Sequence, residues 1–86
     1  MSIEDQLRYE ARKAKPDANI RFENNGHILK IFWSWQYKGH ELDFPWSAET
    51  KDFINDPEYV GAVIDFSLIQ MKVLENGLDD AIINNI

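Results

Sequence analysis

Residues 18–46 read ANIRFENNGHILKIFWSWQYKGHELDFPW. The stretch holds two turn signals, Asn25-Gly26 and Lys38-Gly39. Between them Leu29, Ile31, Trp33, Trp35 and Tyr37 alternate with Lys30, Ser34 and Gln36, which Ile28 and Phe32 join on the second side. Asn-Gly is the strongest short hairpin signal, because a tight two-residue turn needs positive φ at both positions. With Asn25-Gly26 as the turn, Asn24 faces His27, Phe22 faces Leu29, Ile20 faces Ile31 and Ala18 faces Trp33. With Lys38-Gly39 as the second turn, Tyr37 faces His40, Trp35 faces Leu42, Trp33 faces Phe44 and Ile31 faces Trp46. Both turns then put every large apolar partner on one face, and a slip of one residue at either would undo that agreement. The expectation is a three-stranded antiparallel meander with strands at 18–24, 27–37 and 40–45. Its reverse face carries Arg21, Glu23, Lys30, Ser34, Gln36, Glu41 and Asp43. Pro45 cannot donate to a ladder and is expected to end the third strand.

On either side of the meander the pattern turns helical. Ser2 can cap a helix over 2–15, with Glu4 and Asp5 in its positive first turn and Pro16 beyond its end. Ile3, Leu7, Ala11 and Ala14 share one face of it, and Arg8, Arg12 and Lys15 form a basic stripe on another. After the third strand, Ser47 is expected to cap a short helix over 48–55. Asp56-Pro57-Glu58 then starts a long helix over 57–76, with Asp56 as cap, Pro57 where a missing N–H costs nothing, and Gly77 as the stop. A tail over 78–86 follows. The apolar sheet face must be covered, and the helices are the only cover available. The expected architecture is a single α+β domain over 1–86, a two-layer sandwich in the order α-β-β-β-(α)-α.

Composition supports a folded chain. Of 86 residues, 44% are hydrophobic and 13% aromatic, more than a disordered chain carries. There are no cysteines, which excludes disulfides, thiolate metal sites and a cysteine nucleophile. The apolar run Val60 to Ile64 stops at Asp65, and residues 1–15 hold no apolar stretch, so neither a membrane span nor a secretory leader is expected. The expected location is the cytoplasm, that of the host if the chain is phage-encoded. Net charge is −6, divided as +2 over residues 1–40 and −8 over residues 41–86. Such asymmetry suits a partner of definite charge or association between unlike ends.

Signals for catalysis are few. His27 and His40 fall at opposite ends of the second strand, so they share no proton relay or metal within one chain. No phosphate-binding glycine loop and no metal-ligand spacing is present, so no enzyme activity, cofactor or metal is expected. The α-β-β-β-α order over residues 2–76 resembles the layout of the double-stranded RNA-binding domain. That family reads phosphates with a lysine cluster at the start of its last helix. The corresponding stretch here is Ser47-Ala48-Glu49-Thr50-Lys51-Asp52, followed by Asp56 and Glu58, which would repel phosphate. Nucleic-acid binding is therefore a third-ranked expectation, carried by Arg8, Arg12, Lys15, Arg21 and Lys30.

From Glu41 to Glu58 there are six acids, Glu41, Asp43, Glu49, Asp52, Asp56 and Glu58, against one base, Lys51. Phe44, Trp46, Phe53 and Tyr59 are interleaved with them. Carboxylates around aromatics suit a basic protein surface, where charge speeds encounter and rings supply contact energy. The competing expectation is that the rings are core and the acids merely solvated. Small size, acidity and the lack of a catalytic constellation are similar to small inhibitors encoded by phages and mobile elements. Some of these, anti-CRISPR proteins among them, occupy the phosphate-binding grooves of nucleic-acid enzymes. The leading expectation is thus a non-catalytic binder of a basic protein surface. A second rests on residues 59–74, which are apolar around most of the helix. Either the first helix and the tail wrap that excess, or it forms the interface of a homodimer.

Overall fold

A computed structural model describes residues 2–84. The elements are α1 (Ile3–Ala14), β1 (Asn19–Asn24), β2 (Ile28–Tyr37), β3 (His40–Glu49), α2 (Thr50–Asn55) and α3 (Tyr59–Asn84). The three strands form one antiparallel sheet in the order β1-β2-β3. Helices cover one face of it, which is the expected α+β layout. The core is Leu29, Ile31, Trp33 and Trp35 from the sheet against Leu7 and Ala11 of α1 and Val60, Val63, Ile64 and Met71 of α3. Ser2 caps α1 as expected, its Oγ accepting from the Asp5 amide at 3.1 Å. Ala14 lies exposed rather than on the buried face with Leu7 and Ala11.

The second hairpin has the expected register, from Tyr37 opposite His40 to Ile31 opposite Trp46. Lys38 (φ 52°) and Gly39 (φ 81°) supply the positive dihedrals that a two-residue turn demands. The first hairpin differs. Phe22 lies opposite Ile31 and Ile20 opposite Trp33, two residues along from the expected partners. Gly26 has φ 95° but Asn25 is not in the positive region, so Asn25-Gly26 cannot form the tight turn. Instead the Asn25 side-chain oxygen accepts the amides of His27 (2.9 Å) and Ile28 (2.8 Å), which moves the bend one residue onward. Thr50 Oγ1 donates to the carbonyls of Gly26 and His27 and ties the loop to α2. A two-residue displacement preserves strand parity, so the apolar and polar faces stay as expected.

Several expected boundaries are corrected. Pro45 does not end β3, which continues to Glu49. Tyr37 and His40 flank a two-residue turn and so exchange ladder bonds, and the exchanging positions recur every second residue down to the Thr50 amide on the His27 carbonyl (2.9 Å). Pro45, opposite Phe32, falls between them; its missing N–H points to the free edge and costs no bond. Ser47 therefore lies within the strand, opposite Lys30, and Glu49 takes the N-cap position of α2 without a side-chain cap bond.

Gly77 likewise does not stop the long helix. It lies inside α3, which runs on through the stretch expected as a tail; residues 85 and 86 of that tail fall outside the described residues. The helix begins at Tyr59 rather than residue 57, after a turn in which Asp56 Oδ1 accepts the Glu58 amide (3.0 Å). A glycine costs a helix interior about 1 kcal/mol, and contacts on both sides of Gly77 outweigh that. Glu75, only 8% exposed, accepts from Trp35 Nε1 at 3.0 Å and faces Lys15 Nζ at 3.5 Å. One turn later Asp79 accepts from Tyr37 Oη at 2.9 Å and from Lys38 Nζ. The helix is thereby pinned to the C-terminal end of β2 and the turn that follows it, and the molecule is elongated, 49 × 21 × 20 Å.

The Asp79 clamp has a pH signature. Its carboxyl is held below the ordinary value of 3.8, first by the hydrogen bond from Lys38 and then by that from Tyr37. A depressed folded-state pKa contributes stability that is complete above the ordinary value and is lost as the pH falls through the folded one. Asp79→Asn should therefore lower the melting temperature near neutral pH, and the gap from the wild type should narrow as the pH falls below the ordinary value of 3.8. Thermal melts of both chains across that range check it; a gap independent of pH would refute the clamp.

Candidate partner-binding surface

The residues that β3 turns away from the core are Glu41, Asp43, Pro45, Ser47 and Glu49, all exposed. Three of the six acids thus share one row on an edge strand, because alternate residues of a strand face the same way. The chain then carries Asp52 on α2 and Asp56 and Glu58 in the turn before α3. Glu49, Asp52 and Asp56 do not share one helix: Glu49 closes β3, and Asp56 is the C-cap of α2. They remain neighbours because α2 is only six residues long.

Local charge is uneven along this rim. Lys51 pairs with Glu49 at 3.1 Å, and that hydrogen bond, followed by the charges of Glu49 and Asp52, raises the lysine pKa. The Tyr59 hydroxyl is pushed up first by burial and then by Asp52 and Glu49, which places all three in one negative neighbourhood. Asp56 is partly committed to its turn through the Glu58 amide. The interleaved aromatics are not presented alongside the acids. Phe53 is 6% exposed and packs in a tilted contact on Tyr59 with ring centres 4.8 Å apart, while Phe44 and Trp46 pack against the core. The rings hold the rim in place; Glu41, Asp43, Glu49, Asp56 and Glu58 are exposed and Asp52 is half-buried.

The basic residues do not assemble into one stripe. Lys15 turns inward to Glu75 and lies 5.6 Å from the Trp35 ring centre. Arg8 lies over Phe22 at 5.1 Å, and Arg12 is exposed. Arg21 and Lys30 are on the outer sheet face, away from the helices. There Arg21 covers the Phe32 ring at 4.4 Å and pairs with Glu23 at 3.2 Å.

Between these charges the twisted outer face forms a shallow groove of about 570 Å³, with Phe32 and Pro45 as apolar floor and Arg21, Ser34 and Asp43 at its margins. It pairs one cationic side with the start of the acidic row. Among the described residues no three His, Asp or Glu side chains are grouped as a metal site requires. None of the described helices is long and apolar enough to cross a membrane.

Sequence reasoning missed the Trp35–Glu75–Lys15 cluster. A usable signal existed: Glu75 lies four residues after Met71 on the buried side of α3, where an acid needs a partner. No protein-family model matches the chain, and comparison with curated proteins and with solved structures finds no significant match.

Proposed function

We propose that the chain is a non-catalytic binding protein that occupies a basic surface of another protein, in the manner of small acidic inhibitors from phages and mobile elements. One observation carries the reading: Glu41, Asp43 and Glu49 share the solvent side of an edge strand and lead directly into Asp52, Asp56 and Glu58, with Lys51 the one base among them. Carboxylates spaced along an extended strand and a following turn offer what a row of phosphates offers. They neutralise arginines and lysines in a nucleic-acid groove, and they do so more weakly as salt rises. A rigid sheet beneath them lowers the ordering cost of docking.

The geometry selects the variants that test this. Asp56 supports a turn and Glu49 pairs with Lys51, whereas Glu41, Asp43 and Asp52 make no side-chain bond among the described residues. The triple variant Glu41→Lys, Asp43→Lys, Asp52→Lys should keep the wild-type melting temperature. Its capture of partners from source-cell extract at low salt should fall at least about tenfold. A DNA or RNA duplex should displace the captured protein from the wild-type chain. Undiminished capture by the triple variant, or capture that a duplex leaves untouched, would refute the proposal.

A further inference from the structure

The outward side of α3 carries Phe66, Ile69 and Val73, each more than half exposed. At 100° per residue these three and Ala62 fall within about 60° of one another. Scattered exposed apolar residues need no explanation, but a continuous stripe over three turns does. The sheet and α1 pack on the other sides of the helix, and Trp46 of β3 reaches the margin, stacking on Phe66 with centroids 6.4 Å apart.

The charges beside the stripe say what covers it. Asp65 and Lys72 are both exposed, and neither makes an ion pair among the described residues. Seven residues apart, they lie on the same flank about two turns from each other. Two helices related by a twofold axis run antiparallel and bring like flanks together. An axis crossing between residues 68 and 69 sets Asp65 level with the second copy's Lys72, and Lys72 level with its Asp65.

The same offset meshes the stripe. Ile69 meets its own copy at the axis, Phe66 enters between the other chain's Ile69 and Val73, and small Ala62 leaves room beside that Val73. A foreign partner would not require charge and apolar matching to agree on one self-complementary register. We infer that α3 is the seam of a homodimer, its occupant a second copy of this chain in antiparallel contact over residues 62–73. The seam is separate from the acidic rim on β3 and α2.

Sedimentation equilibrium of the full chain from about 1 µM to about 1 mM tests this, a span that brackets the affinities of small interfaces. The wild type should pass from monomer to dimer. Ile69→Asp should stay monomeric at every concentration with an unchanged circular dichroism spectrum, since Ile69 touches solvent. Asp65→Lys and Lys72→Asp should each weaken the dimer about tenfold or more, and the two together should restore it, because the exchanged charges meet again across the axis. A wild type monomeric throughout, a dimer indifferent to Ile69→Asp, or a double variant as weak as either single one would overturn the inference.

Discussion

Trp33→Ala should remove a large part of the stability of the fold. Trp33 is 1% exposed and sits at the centre of the sheet, opposite Ile20 on β1 and Phe44 on β3, with the helices above it. Emptying such a site costs about 3–5 kcal/mol. A domain of this length has roughly 4–13 kcal/mol to lose, at about 0.05–0.15 kcal/mol per residue. The melting temperature should fall by on the order of 20 °C, and urea titration should show a correspondingly lower midpoint. Trp33→Phe should cost far less, since it keeps a ring and the Trp33 indole N–H has no partner among the described residues. A loss below about 1 kcal/mol for the alanine variant would mean that Trp33 is not the keystone its burial implies.

Gly77 tests the continuity of α3. Its φ is not in the positive region, and a Cβ placed there meets nothing within 4 Å. Gly77→Ala should therefore stabilise the chain by about 0.5–1 kcal/mol, by helix propensity and by a smaller unfolded ensemble. Gly77→Pro should cost about 3 kcal/mol or more, because the ring removes one helical bond and clashes with the Val73 carbonyl. The break would also displace Asp79 from Tyr37 and Lys38. Chemical denaturation of both variants reads the signs. If Gly77 instead ended the helix in a left-handed conformation, alanine would destabilise, and the two substitutions would no longer oppose each other.

The parts legible in the sequence were those where one local rule met no competitor. Lys38 and Gly39 both take the positive φ that the tight turn needs, so the second register followed from spacing alone. At Asn25 the side chain captured two amides and moved the bend, and Thr50, from far along the chain, bonds to the same loop. The apolar face survived because the displacement was even. Pro45 and Gly77 were read as stops because each is one in isolation. Only the sheet shows that the Pro45 nitrogen faces an open edge, and only the β2 contacts show what holds α3 together past Gly77. The acidic run was visible as composition. Its division into a strand row and a short helix was not, because it depended on how far β3 extends.

Pro45 has a consequence for how the sheet edge avoids open-ended association in a crowded solution. Along the free side of β3 the amides of Glu41, Asp43, Ser47 and Glu49 point outward, and the proline interrupts them midway. A foreign strand trying to template on that border meets a missing donor at its middle and three carboxylates repelling any copy of itself. A ten-residue, tryptophan-bearing strand would otherwise invite cross-β stacking. One imino acid thus lets the protein expose a long edge while resisting growth into fibrils.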